Sequence, residues 1–237
     1  MHLFISDAHI SNEKNRSSRM LVRFLEEMRL HLTDLYIIGD LFEIWFDYDL
    51  VFPKGYFHIL ASLRSILSEG KEIHYVMGNH EIAIGDFLHD SGIIVHRGPA
   101  VFDVDGWRVL LSHGHKVDKR PWTAIWNFLL TSKVNHRLYR MLHPDIGIAL
   151  AQRIALLSRK QRPSSKLLNM LEDYARRQLH DVDIVILGHS HLPELKAYAG
   201  NKYYINAGDW VTNFSYVLID NERVSLEYYG RRPIGAH

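Results

Sequence analysis

The chain has 237 residues, 47% of them hydrophobic and 23% charged, which are the proportions of a globular protein with a sizeable buried core. No apolar run approaches the roughly 20 residues of a membrane-spanning helix, and the absence of cysteine excludes disulfides and thiolate metal ligands. The sixteen histidines stand out, because histidine is the side chain most often used for transition-metal binding and proton transfer near neutral pH.

Short apolar runs alternate with helical patterns along the chain, which is typical of an α/β fold. The opening MHLFISDAHI has neither a basic segment nor a cleavage site, so we expect a first strand and a cytoplasmic protein. The predicted strands are His2–Ser6, Leu35–Ile38, Ile73–Met77, Val101–Val104, Val109–Leu111, Ile184–Leu187, Tyr203–Ile205, Ser215–Ile219 and Val224–Tyr228. Three- and four-residue apolar spacing predicts helices at Ser18–Leu30, Gly55–Ser68, Pro121–Thr131, Val134–Leu142, Ile146–Arg159 and Ser165–Leu179.

Residues 116–166 differ in charge from the rest of the chain. This segment holds eleven Lys or Arg residues and two acidic ones, a net charge of +9 that leaves −8 for the remainder. We therefore predict an inserted helical lid at 116–166 and a core formed by 1–115 and 167–237. Its cations could pair with phosphate oxygens, and its apolar helices could hold acyl chains or lie against a membrane. A helical hairpin with a buried stripe and a solvated basic face would have the same composition.

Five runs, each containing a predicted strand, are followed at once by Asp, Asn or His. LFIS leads to Asp7-Ala8-His9, LYIIG to Asp40, IHYVMG to Asn79-His80-Glu81, VLLS to His113-Gly114-His115, and IVILG to His189-Ser190-His191. A single Asp after a strand is usually a turn former, and a single His is usually structural. Five such ends at the carboxyl edge, where open α/β sheets bind their ligands, indicate a functional site.

Carboxylate, amide and imidazole groups in this number suit two divalent metal ions. Such a pair, about 3.5–4 Å apart and sharing one carboxylate, stabilises both the attacking and the leaving oxygen of a displacement at phosphorus. Without cysteine, the suitable ions are Mn²⁺, which we expect first, and Fe²⁺, Co²⁺ or Zn²⁺. Gly39, Gly78 and Gly188 precede three of the motifs and let the backbone turn beside the metals without a Cβ.

The series D-x-H, GD, GNHE, SHGH and GHSH resembles that of the calcineurin-like metallophosphoesterases and spans the chain in order. The resemblance implies a four-layer α/β/β/α sandwich with a helical lid. It implies one metal bound by Asp7, His9, Asp40 and His191, and a second bound by Asp40, Asn79, His113 and His189, with Asp40 bridging. A hydroxide between the metals would be the nucleophile, and His80 would be the acid or phosphate-oxygen donor. Glu81 could be the acceptor that orients His80, or an acidic residue at a helix N-terminus that faces the helix dipole.

Within this family, ISDAHI, YIIGDLFEIW and the helical insertion resemble the UDP-2,3-diacylglucosamine diphosphatases of lipid A synthesis. Those enzymes hydrolyse a nucleotide diphosphate lipid to UMP and an acylated sugar 1-phosphate. The resemblance implies an acylated sugar-nucleotide substrate and peripheral contact with the cytoplasmic face of the inner membrane. The candidate substrate contacts in the lid are Trp122, Trp126, Arg137, Arg159, Lys160 and Lys166.

The chain also departs from that subgroup, whose well-known members have Arg at the position of His80 and Asp at that of His115. A phosphodiesterase or nuclease of the same fold is therefore an alternative, although the lid is more apolar than a nucleic-acid phosphate track needs. A non-catalytic metal-binding scaffold is a third hypothesis. It predicts lost ligands, and none of the seven is missing.

Overall fold

The computed structural model of the protein describes residues 1–48, 51–83, 86–117, 143–158 and 163–230. Within these ranges the strands are β1 (His2–Ile5), β2 (Asp34–Ile38), β3 (Trp45–Phe46), β4 (Glu72–Val76), β5 (Glu81–Ala83), β6 (Ile94–His96), β7 (Ala100–Val104), β8 (Trp107–Ser112), β9 (Ile184–Leu187), β10 (Glu194–Tyr198), β11 (Lys202–Asn206), β12 (Ser215–Asp220) and β13 (Arg223–Tyr228). The helices are α1 (Arg16–Met28), α2 (Phe57–Ser68), α3 (Phe87–Asp90), α4 (Pro144–Ser158) and α5 (Ser165–Gln178), with 3₁₀ turns at Arg29–His31, Lys54–Tyr56 and His115–Val117.

Two sheets carry the fold. The first has the order β13-β12-β1-β2-β4-β6, with β1, β2, β4 and β6 parallel and β12 and β13 antiparallel to their neighbours. The second has the order β10-β11-β9-β8-β7, with β8, β9 and β11 parallel. All four residues of β1 and of β9 are buried, because both strands are covered on both faces.

The sheets pack face to face, and helices cover their outer faces. Phe4 and Tyr36 of the first sheet share a buried cluster with Ile186 and Ile205 of the second. On the outer face of the first sheet, α1 buries its apolar stripe together with that of α2. On the outer face of the second sheet, Leu171 of α5 and neighbouring apolar side chains form a third cluster. The layers are therefore α/β/β/α, which confirms the predicted fold class.

Every strand predicted from the sequence is present, with bounds that differ by at most two residues. The pattern did not predict β3, β5, β6, β10 or α3, which are short or half exposed. The lid helix predicted at Ile146–Arg159 is present as α4, whereas the helices predicted at 121–131 and 134–142 lie outside the described residues. Among the helices that are described, none is long and apolar enough to cross a membrane.

Candidate metal centre

The ends of five strands meet at one edge of the sandwich. The first sheet contributes the ends of β1, β2 and β4, and the second those of β8 and β9, each set running in the same direction. Asp7, His9 and His191 offer ligand atoms within 4.8 Å of one another, and so do Asp7, Asp40 and His113. Parallel strands thus bring together side chains that lie up to 184 residues apart in sequence.

Asn79 and His189 complete the set on the side of His113. The Nε2 atom of His113 lies 3.1 Å from the amide oxygen of Asn79, and its ring lies 5.2 Å from that of His189. The Nδ1 atom of His113 is 2.9 Å from the carbonyl oxygen of Ile38, so it donates there and leaves Nε2 directed at the site.

Asp40 lies between His113 and His9. Its Oδ1 atom accepts a 2.9 Å hydrogen bond from the backbone N–H of His80. Its Oδ2 atom is 3.3 Å from Nε2 of His113 and 3.9 Å from Nε2 of His9. One oxygen therefore faces ligands of both predicted ions, while the bridging role itself stays a prediction.

Asp7 belongs to both groups of ligand atoms. Its Oδ2 atom accepts hydrogen bonds from the backbone N–H of His189, at 2.9 Å, and from the hydroxyl of Ser6. Its Oδ1 atom lies 3.7 Å from Nε2 of His9 and 3.5 Å from Nε2 of His191. Oδ1 is thus directed at the imidazoles that would share its metal.

The buried atoms that lack hydrogen bonds test whether this set fits metal ions. Oδ1 of Asp7, both ring nitrogens of His9 and Nε2 of His189 are buried without a hydrogen-bond partner. Buried polar atoms in proteins are nearly always paired, because an unpaired one costs about 1–3 kcal/mol. Carboxylate oxygens and neutral imidazole nitrogens are ligands of divalent transition metals. The residues present therefore fit the metals that the motifs predict.

Burial and charge set the protonation states. Burial lowers the pKa of His9 and that of His189 to about 4, so both rings are neutral at pH 7, which is the form that binds metal. For His113 burial acts in the same direction, but the Asp40 and Asp7 carboxylates raise its pKa to about 10. Burial opposes ionisation of Asp40, yet His113 and His80 hold its pKa well below the usual range. Asp40 is therefore ionised at pH 7, which is the form in which a carboxylate binds metal.

The backbone of the ligands is unusual. Asp7, His9, Asp40, His189 and His191 all have φ between 46° and 67°, in the left-handed region that non-glycine residues seldom adopt. Such conformations cost about 1–3 kcal/mol each and cluster at functional sites. These five residues thus carry backbone strain that the surrounding contacts must offset.

His80 lies beside the predicted ligands. Its Nδ1 atom is 2.5 Å from the carbonyl oxygen of Glu43, so Nδ1–H donates there. Its Nε2 atom then faces Oδ2 of Asp40, 3.8 Å away. The side chain is 12% exposed, so an incoming phosphate oxygen can reach it.

The prediction that Glu81 orients His80 is wrong. Glu81 opens β5, and its carboxylate lies in the buried interior. There it accepts hydrogen bonds from the backbone N–H groups of Gly78 and Asp40 and from the Tyr75 hydroxyl. A buried carboxylate binds the nearest free donors, which here are backbone amides rather than the imidazole. Burial and the charge of Asp40 raise the pKa of Glu81 to about 7.

The sequence analysis missed Asp209. Its Oδ2 atom lies 3.6 Å from Nδ1 of His191, and its Oδ1 atom accepts the backbone N–H groups of residues 211, 212 and 213. The carboxylate thus caps a turn and faces the ring of a predicted ligand. A signal was present, because Asp209 follows the predicted strand Tyr203–Ile205, although by four residues instead of one or two.

Of the six predicted substrate contacts, the structure describes Lys166, which is exposed in the first turn of α5. The other five, Trp122, Trp126, Arg137, Arg159 and Lys160, lie outside the described residues.

His115 opens the 3₁₀ turn that leads towards the predicted lid. Its ring is 5.4 Å from that of His113, and its Nδ1 atom is buried without a hydrogen bond.

The model of the calcineurin-like phosphoesterase family matches residues 3–193, so the chain belongs to this family. It is a metal-dependent phosphoester hydrolase. A UDP-2,3-diacylglucosamine hydrolase of Porphyromonas gingivalis is 28% identical over 252 residues, covering 94% of this chain and 95% of that protein. One from Marinobacter nauticus is 30% identical over 238 residues, covering 95% and 96%. A crystal structure of Vps29 with zinc from Entamoeba histolytica is 18% identical, with a TM-score of 0.48, covering 95% and 89%.

Proposed function

We propose that this protein hydrolyses the diphosphate of UDP-2,3-diacylglucosamine and releases UMP and 2,3-diacylglucosamine 1-phosphate. The observation that carries the proposal is the ligand set, in which all seven expected residue types stand at the strand ends. The substrate is suggested by relatives of matching length that are named UDP-2,3-diacylglucosamine hydrolases.

The residues that would hold the metals are those of the two ligand groups, with Asp40 facing both. Two divalent ions, Mn²⁺ first and otherwise Fe²⁺, Co²⁺ or Zn²⁺, would lower the pKa of a water nucleophile and neutralise charge on the phosphate. Asp40 and Asn79 would act together with His113, because their oxygens lie 3.3 Å and 3.1 Å from its Nε2 atom. Catalysis in this proposal depends mainly on positioning and electrostatics.

His80 would act on the phosphate oxygens directly. The Glu43 carbonyl fixes its Nδ1–H, so Nε2 is the atom that can carry a proton to the leaving oxygen or hydrogen-bond a phosphate oxygen. An Arg at this position could supply charge but could not exchange a proton. His80 is also the observation that favours the second candidate, a broader phosphodiesterase or nuclease activity at the same site.

The acyl chains would be held by the lid. On α4, Ile146 is 62% exposed and Leu150 is 48% exposed, and residues four apart lie on the same helix face. Together with the excess of positive charge in 116–166, this stripe supports acyl-chain binding and peripheral contact with an anionic membrane surface. Each acyl CH₂ that it buries would contribute about 0.8 kcal/mol.

The test is hydrolysis of UDP-diacylglucosamine analogues with graded acyl length, beside bis-p-nitrophenyl phosphate and single-stranded DNA. Removing two buried carbons should lower kcat/KM about tenfold, since each CH₂ counts about 0.8 kcal/mol. Ile146→Ser should flatten this dependence. The matched control is Leu30→Ser, because Leu30 is also an exposed leucine, with 73% of its surface accessible. Leu30 precedes the start of β2, so it lies at the sheet edge opposite to the candidate metal centre.

Equal rates on long and short chains would refute the lipid substrate. Faster turnover of DNA, with a strong dependence on ionic strength, would establish the second candidate instead.

A further inference from the structure

Glu81 joins the loops that carry two of the predicted ligands. Its Oε2 atom accepts from the backbone N–H of Gly78 at 2.7 Å and from that of Asp40 at 3.1 Å. Its Oε1 atom accepts from the Tyr75 hydroxyl at 2.6 Å, and that hydroxyl in turn is 3.4 Å from the backbone N–H of Leu41. One carboxylate therefore binds the end of β2 and the end of β4 at the same time.

These bonds act where the two loops come closest. A Cβ at Gly39 would lie 2.7 Å from Cα of Gly78, so the backbones are in direct contact. Hydrogen bonds connect the two loops in both directions. Asp40 donates its N–H to Glu81, and its Oδ1 atom accepts from the backbone N–H of His80. With Oδ1 and the N–H both fixed, Oδ2 is the oxygen left to face His113 and His9.

The burial of Glu81 makes a role in packing alone expensive. Its carboxyl group is 3% exposed, and a polar group taken out of water costs free energy unless it is hydrogen-bonded. An apolar side chain could fill the same volume at lower cost. A carboxyl group can instead accept two backbone amides with one oxygen, as Oε2 does from Gly78 and Asp40, and so hold the loop ends together.

We propose that Glu81 is a positioning residue of the metal centre, whose carboxylate sets the separation of the Asp40 and Asn79 loops so that Asp40 can bridge two metals. The inference rests on the proposed dimetal function. It assigns to Glu81 no contact with the substrate and no proton transfer.

The experiment compares Mn²⁺ binding to full-length wild type and Glu81→Gln by titration calorimetry, with electron paramagnetic resonance of the loaded proteins. The amide presents an N–H₂ group or a weaker acceptor to the backbone amides, so we expect the second Mn²⁺ to bind about 10- to 100-fold more weakly. The resonance signature of a spin-coupled pair should decrease accordingly. Both readouts are independent of the substrate.

Glu172→Gln is the matched control, because Glu172 also accepts a tyrosine hydroxyl, that of Tyr198, and otherwise binds Lys196 and Arg176. It should bind Mn²⁺ like wild type. Unchanged Mn²⁺ affinity in folded Glu81→Gln, or an equal loss in Glu172→Gln, would overturn the proposal.

If Glu81→Gln does not fold, Tyr75→Phe carries the test. This variant removes one hydrogen bond to Glu81 and should weaken the second Mn²⁺ about two- to tenfold; wild-type affinity would overturn the proposal. A wild type that cleaves bis-p-nitrophenyl phosphate but not the diacylated sugar nucleotide would refute only the substrate, and the Mn²⁺ measurements would still decide the role of Glu81.

Discussion

A methyl group at position 78 would collide with the carboxylate that faces both ligand groups. A Cβ built on Gly78 lies 2.1 Å from Oδ1 of Asp40 and 2.8 Å from its backbone nitrogen, and contacts under 3.0 Å essentially never occur. In Gly78→Ala, Oδ1 must therefore move by about 1 Å, since packed interiors leave no room for overlap. Asp40 cannot yield easily, because its backbone is already in the left-handed region and its N–H is bound to Glu81.

This displacement sets the expected magnitude. A misplacement of about 1 Å at a catalytic group lowers turnover about 10²-fold, and a disturbed metal shell lowers metal affinity about 10- to 100-fold. Overpacking costs about 1–3 kcal/mol of stability, so the variant should still fold. We expect Gly78→Ala to lose both Mn²⁺ affinity and turnover at saturating Mn²⁺, with a modest fall in Tm.

The assay is calorimetric titration with Mn²⁺ together with kcat on bis-p-nitrophenyl phosphate at saturating metal. Gly98→Ala is the matched control, because a Cβ at Gly98 meets nothing within 4 Å and its φ is not in the left-handed region. That variant should behave as wild type. A Gly78→Ala protein with wild-type Mn²⁺ affinity and kcat would refute the inferred contact between these two strand ends.

Three further predictions concern single side chains. His80→Ala should lower kcat by about 10²–10⁴-fold while Mn²⁺ content stays intact, and loss of metal would instead make His80 a ligand. Asp209→Asn keeps an oxygen for the three backbone amides that Asp209 binds, but it turns an N–H₂ group towards His191. The Mn²⁺ affinity should therefore fall about tenfold, while the Tm of the metal-free protein stays unchanged. A large loss of Tm would indicate a purely structural role. Burial and His74 lower the pKa of His96, so the folded state resists its protonation and its contribution to stability is lost as pH falls below about 6.5. His96→Phe should therefore lose less Tm than wild type between pH 8 and pH 5, and an equal loss would contradict this.

The fold could be predicted because the buried strands are short apolar runs with clear ends. β1 and β9 have every residue buried, so hydrophobicity alone marks them. β10 could not be recognised in this way, because it lies at a sheet edge with alternating half-buried and exposed residues and includes Glu194 and Lys196. β3 and β5 are too short for any periodicity to appear.

The sequence predicted part of the candidate site, namely the residues, but did not predict their contacts. Residue type and position after a strand identified the expected ligands, because strand ends of parallel strands meet at one edge. What each side chain contacts depends on where the chain turns next, and the sequence does not encode this locally. Glu81 accepts amides of two strands instead of serving the adjacent His80, and the carbonyl that orients His80 belongs to residue 43. Every residue has a backbone carbonyl, so a sequence motif cannot show which carbonyl a side chain will bind.

The predicted ligands come from both sheets and from distant parts of the chain, so a bound metal would connect segments that are synthesised far apart in time. The amide of His189 already binds the side chain of Asp7 across 182 residues of sequence. A metal held by Asp7 and His191 would close a loop of that size, so it would act as a removable cross-link between the two halves of the sandwich. A chain still emerging from the ribosome carries its first ligand pair long before its last. Full loading with metal must therefore wait until His191 has been synthesised and has folded against Asp7, and a chelator should lower the stability of the packed sheets.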